Sequence, residues 1–182
     1  FKQKTAYEIR LSLVGSEMCI RDRLLALAMC TNGSFTIKSD YLTNPDDVKI
    51  LGGIIYLNGG LGAGKTTLTR GVMRGFGYEG AVKSPTYTII EPYEFQKSQI
   101  YHFDLYRLAH AEEVEYLGAE NYFLSENLCL IEWAEKGKGS IPSPDLVVNL
   151  SEQGEGRLIH CQDHSDKGLK IIQRIREKGR NL

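Results

Sequence analysis

The sequence predicts an α/β fold: a mixed sheet flanked by helices, with an antiparallel hairpin. Three observations predict it. The apolar run Ile54-Ile55-Tyr56-Leu57 leads through a glycine loop into a segment of helical character. Strand-like and helix-like segments then alternate along the rest of the chain. Finally, residues 87–93 and 100–105, rich in β-branched and aromatic side chains, flank the polar Gln96-Lys97-Ser98, which reads as a hairpin loop.

Residues 24–30 read as the end of a helix, and the polar, turn-rich residues 32–47 as a connector into the first core strand. Residues 54–57 are a short apolar run that reads as a buried strand. Residues 67–76 predict a helix that stops near Gly75 and Gly77. The hairpin strands follow, and then a short helix over 111–117, stopped by Gly118. Leu128-Cys129-Leu130-Ile131 is a continuous apolar run and predicts a central strand. Residues 136–144 form a Gly/Ser/Pro loop, and 146–150 and 157–162 are late strands. Leu169, Ile172 and Ile175 recur at helical spacing and predict a terminal helix over 166–178.

The 182 residues, 42% hydrophobic and 25% charged, suit one domain with a real core. No run approaches the roughly 18 apolar residues of a membrane helix. The formal net charge of −1 does not mark the whole surface as a nucleic-acid binder. Cys19, Cys30, Cys129 and Cys161 are scattered without a C-x-x-C pair, which argues against a zinc site or disulfide framework and fits a reducing cytoplasm. The segment FKQKTAYEIRLSLVGSEMCIRDR (residues 1–23) resembles a translated sequencing-adapter fragment and lacks the features of a signal peptide. Phe1 in place of an initiator methionine fits an open-ended reading frame. The expected organisation is therefore a non-native segment, 1–23, and a single domain, 24–182. Without the first segment the chain has 17 basic and 20 acidic residues, a net charge of −3.

Gly59-Gly60-Leu61-Gly62-Ala63-Gly64-Lys65-Thr66 matches the phosphate-binding P-loop G-x-x-x-x-G-K-[ST] without a mismatch, between the predicted strand and helix. Glycines let backbone N–H groups approach phosphates, and the helix N-terminus adds partial positive charge. Gly59, Gly62, Ala63, Gly64, Lys65, Thr66 and Thr67 are thus the expected nucleotide-binding set. Lys65 would reach the β- and γ-phosphates, and the Thr66 hydroxyl would bind Mg²⁺. The fold expected is P-loop NTPase-like.

Such a site needs a second acidic group. Glu132 ends the apolar run 128–131, beyond which ligands bind in open α/β sheets. It is the expected partner of the metal or its water. In Tyr101-His102-Phe103-Asp104-Leu105-Tyr106-Arg107, strand alternation puts His102 and Asp104 on one face. Asp104 could order a water, and Arg107 could stabilise phosphate charge; a structural polar cluster is the alternative. Thr86 and Thr88, after Ser84-Pro85, are candidates for a γ-phosphate switch. Arg70 and Arg74 share a helix face, and Lys167, Lys170, Arg174, Arg176, Lys178 and Arg180 make the C-terminus basic; both read first as solvated faces and second as partner or tRNA contacts.

GGLGAGKTT (59–67), VKSPTYT (82–88), YHFDLYRL (101–108) and LIEW (130–133) occur in the order and spacing of the bacterial TsaE family. From about Gly53 onward the chain resembles that family, the small ATPase of tRNA threonylcarbamoyladenosine biosynthesis. The resemblance implies a cytoplasmic enzyme using ATP and Mg²⁺, acting with the TsaB and TsaD proteins and reaching tRNA through that complex. It implies phosphate binding by Lys65, Mg²⁺ binding by Thr66 and Glu132, and a catalytic or switch role for Asp104. Three departures accompany it: Gly60 stands where the family usually has Asp, His110-Ala111 stands where it usually has Asp-Pro, and its N-terminal strand and helix are truncated or replaced before Gly53. The competing readings are a small P-loop kinase and a nucleotide-dependent switch with negligible turnover. No N-K-x-D segment follows the P-loop, which disfavours a GTPase.

Overall fold

The computed structural model describes residues 7–11, 52–95, 98–118, 121–153 and 156–180. The helix end expected at 24–30 and the connector at 32–47 lie outside them. The described elements are β1 (Tyr7–Leu11), β2 (Gly53–Asn58), α1 (Lys65–Gly75), β3 (Ile90–Phe95), β4 (Ser98–Asp104), α2 (Glu113–Tyr116), β5 (Leu128–Glu132), a 3₁₀ turn (Ala134–Gly137), β6 (Leu146–Gln153), β7 (Gly156–Asp163) and α3 (Asp166–Arg180). The strands form one mixed sheet in the order β1-β7-β6-β2-β5-β4-β3.

Parallel pairing joins β6, β2, β5 and β4, and antiparallel strands flank them on both sides. The predicted hairpin is β3–β4, with Pro92 on the edge strand, where its missing N–H costs no ladder bond inside the sheet. A second hairpin, β6–β7, closes the other side, and β1 pairs antiparallel with β7. The chain leaves β5 on one side of β2 and reaches β6 on its other side. The C-terminal end of β2 is therefore a topological switch point, the place where open α/β sheets bind ligands.

All five residues of β5 are buried, as expected of a central parallel strand. Their alternation sorts the core. Leu128 and Leu130 join Leu57, Ile100, Leu68 and Met73 of α1 and Ile171 and Ile172 of α3 on one face. Cys129 and Ile131 join Tyr101, Phe103, Leu105 and Val114 on the other. The same period carries Glu132, His102 and Asp104 to the α1 face.

Two expected elements start later than the sequence predicts. Residues 87–89 do not extend the strand: Pro85 O accepts from Ile89 N at 2.6 Å, Ile89 has φ 67°, and β3 begins at Ile90. A proline turn overrides the β propensity of the segment. The helix expected over 111–117 is a single turn, Glu113–Tyr116. The Glu113 carboxylate reaches back to the turn ahead of it, accepting from His110 N at 2.8 Å and Ala109 N at 3.0 Å.

Candidate functional site

The loop from β2 to α1 is shaped by its glycines. At Gly59 (φ 152°) a Cβ would lie 2.6 Å from Leu150 O and 2.9 Å from the Ala63 Cβ. At the helix start Gly64 has φ 105° and offers no side-chain cap, and the first turn of α1 carries no acidic residue. No acidic residue of α1 itself therefore offsets the partial positive charge of this helix end. Gly62 and Gly60 are exposed at the loop tip, and Thr67 is half-buried on α1. Ala63 N donates to Gly60 O at 3.2 Å, and Arg157 Nε on β7 donates to Ala63 O at 3.2 Å. Arg157 thus braces the loop from a strand distant in sequence, a contact no local pattern announces.

Lys65 folds back over this loop. Its Nζ donates to Gly59 O at 2.6 Å and to Gly60 O at 2.9 Å, and lies 4.1 Å from the centre of the Trp133 ring. Burial holds its pKa below the ordinary lysine value, against the opposing pull of Glu132, Asp104 and Glu135. Trp133 sits at φ 58° immediately after β5, and its ring also packs on Tyr106, 4.9 Å between centroids. The single tryptophan is therefore part of the site.

Glu132 and Asp104 stand opposite each other in the β4–β5 register. Glu132 Oε1 accepts from Thr66 Oγ1 at 2.8 Å and meets His102 Nε2 at 2.8 Å. Asp104 Oδ2 accepts from Thr86 Oγ1 at 2.6 Å and from the Ser84 hydroxyl, and its Oδ1 accepts from Tyr106 N at 3.1 Å. Ser84 completes this cluster, although only the threonines of its segment read as switch candidates. Thr88 is exposed and stays out of it. Arg107 stacks on the exposed Tyr87 ring, 3.9 Å from its centre. Arg70 is not simply a solvated helix residue: its Nε and Nη2 donate to Val82 O at 3.4 and 3.2 Å, tying α1 to the start of the Ser84–Thr86 segment. A cleft of about 870 Å³ adjoins the loop, lined by Tyr56, Asn58, Gly59, Gly60, Trp133 and Lys138 among others.

The donor set suits Mg²⁺. Thr66 and Glu132 supply hard oxygens 2.8 Å apart at the N-terminal end of α1, next to the glycine loop. Among the described residues no group of three or more His, Cys, Asp and Glu side chains could hold a metal ion. Mg²⁺ at a nucleotide does not need one: it takes one or two protein oxygens, and phosphates and waters complete its shell. No helix among the described residues is long and apolar enough to cross a membrane.

Residues 32–159 match the family model described as "Threonylcarbamoyl adenosine biosynthesis protein TsaE". The chain is 51% identical over 119 residues to the tRNA threonylcarbamoyladenosine biosynthesis protein TsaE of Haemophilus influenzae, covering 65% of this chain and 75% of that protein. It is 36% identical over 122 residues to the protein of the same description from Bacillus subtilis, covering 62% and 76%. A crystal structure of YdiB from Bacillus subtilis matches the fold with a TM-score of 0.66 and 23% identity, covering 96% of this chain and 98% of that one.

Proposed function

The chain belongs to the TsaE family of threonylcarbamoyl adenosine biosynthesis proteins, and from that premise we propose that it is a P-loop ATPase serving this tRNA modification in the cytoplasm. In this reading it hydrolyses Mg-ATP in a complex with the TsaB and TsaD proteins and meets tRNA only through them. The observation that carries the reading is the Thr66–Glu132 contact of 2.8 Å at the N-terminus of α1, with Lys65 directly beside it.

Each side chain has a task in this scheme. Lys65 exchanges the Gly59 and Gly60 carbonyls for phosphate oxygens, and screening from water strengthens the attraction between its ammonium and those oxygens. Glu132 takes the Thr66 proton into its hydrogen bond, which turns the Thr66 lone pairs outward. Bound Mg²⁺ would neutralise charge on the β- and γ-phosphates. Asp104 holds the Ser84 and Thr86 hydroxyls and supplies the carboxylate that orders the attacking water. Arg107 stacks on Tyr87, so a cation for the transition state is supplied by a partner, a contribution worth about 10³–10⁵ in rate. Turnover by the chain alone is accordingly slow.

Steady-state ATPase activity of the purified chain, alone and then with TsaB and TsaD, tests this. The expected result is slow hydrolysis that rises on adding both. A high rate alone, unchanged by them, favours an autonomous enzyme such as a small-molecule kinase. Negligible turnover in both conditions favours a nucleotide-dependent switch.

A further inference from the structure

Glu132 is gripped from two directions at one oxygen. Thr66 Oγ1 reaches Oε1 from the helix, and His102 Nε2 reaches the same Oε1 from inside the sheet, each at 2.8 Å. Strand register explains the second contact. His102 pairs with Leu130 and Asp104 with Glu132 in the parallel β4–β5 ladder, so His102 lies one step behind Glu132 on the same face. Both side chains are buried, with 0% and 4% of their surface exposed. A carboxylate oxygen only accepts, so Nε2 carries the hydrogen in this contact.

The other ring nitrogen, Nδ1, is buried without a hydrogen-bond partner. Filling space does not account for that. Ile100, two residues earlier on the same face, fills space with no polar atom to desolvate. An imidazole there carries a desolvation cost that only its Nε2–H contact with Glu132 offsets. Both donors to Glu132 use Oε1, which leaves Oε2 as the oxygen available to a ligand.

We propose that His102 is a positioning residue for Glu132: its Nε2–H pins Oε1 from within the sheet and keeps the carboxylate aimed while the Thr66 hydroxyl engages a metal. The inference rests on the Mg-nucleotide reading of the site. Outer-shell partners of this kind typically set metal affinity by about 10–100-fold when removed.

The experiment is Mg²⁺-dependent ADP binding, read by fluorescence of Trp133, whose ring lies 4.1 Å from Lys65 Nζ. Three variants separate donor from volume. His102→Leu removes the donor. His102→Asn retains an amide but reaches only the Nδ1 position. His102→Gln places an amide N–H near the Nε2 position. The Leu and Asn variants are expected to need about 10–100-fold more Mg²⁺ for half-maximal binding, with metal-free ADP binding little changed. The Gln variant should return close to the parent. An unmoved Mg²⁺ requirement in Leu, or equal behaviour of Asn and Gln, overturns the proposal. The Asn–Gln comparison decides it alone if circular dichroism shows that Leu does not fold. Failure of the parent protein to bind ADP at all counts against the nucleotide reading itself, not against His102.

Discussion

Replacing Glu132 by Gln removes one charge from the site at almost constant volume. In the parent, Oε1 accepts from Thr66 Oγ1 and from His102 Nε2, both at 2.8 Å. A glutamine oxygen can accept both, so the strand end keeps its partners and the fold is expected to survive. Hydrogen bonds to a charged group contribute about 1.5–3 kcal/mol and those between neutral groups about 0.5–1.5. Two such contacts made neutral therefore cost about 2–3 kcal/mol of folded-state stability, and the charge lost beside Thr66 lowers Mg²⁺-dependent hydrolysis. A second effect runs through Lys65. Glu132 is the largest of the carboxylates raising the pKa that burial lowers. Without it, Lys65 loses its proton at lower pH, and the pH at which ATP affinity falls moves down. The assay is steady-state ATP hydrolysis across Mg²⁺ concentration and pH, with the partner proteins present and circular dichroism as the fold control. Parent-level hydrolysis, with parent Mg²⁺ and pH dependence, would show that Glu132 is structural and refute the reasoning.

In the parent protein the lowered Lys65 pKa has two consequences of opposite sign. Between that value and 10.5 the unfolded chain binds more protons, so unfolding free energy rises with pH while ATP affinity falls; parallel denaturation and binding titrations check both slopes. Gly59→Ala should lower the melting temperature by roughly 4–12 °C, because overpacking and a strained φ together cost about 2–3 kcal/mol. Gly60→Asp, where an added Cβ meets nothing within 4 Å, should shift stability by less than about 0.5 kcal/mol; thermal melts of the two variants compare them directly. Deleting residues 1–23 removes the edge strand β1 but no residue of the site. ATP binding should stay at the parent level and the melting temperature within about 5 °C; a larger fall, roughly 1 kcal/mol or more, would show that β1 contributes to stability.

What was legible in the sequence was local. The P-loop motif needs only eight consecutive residues and its flanks, and α1 begins at its lysine as that motif requires. Alternation in residues 101–105 was also legible, since period two holds along any strand: His102 and Asp104 do share the α1 face. The partners of those side chains were not. The His102–Glu132 contact joins residues 30 apart and exists only through the parallel register of β4 and β5. Arg157 reaches Ala63 across 94 residues through the β6–β7 hairpin, whose pairing is set by neighbours in the sheet. At residues 87–89 propensity pointed the wrong way, because the bond from Ile89 N to Pro85 O holds a turn there. That turn is what places Ser84 and Thr86 on Asp104.

Lys65→Ala tests whether this loop works on Mg-ATP through its lysine. Lys65 Nζ is the only cationic group within reach of both Gly59 O and Gly60 O among the described contacts, and alanine replaces none of its charge. The measurement is ATP binding by isothermal titration with hydrolysis in the same buffer, for parent and variant shown by circular dichroism to share a fold. The parent is expected to bind and hydrolyse ATP, and the variant to lose both. A folded variant that turns over ATP at the parent rate would contradict that expectation.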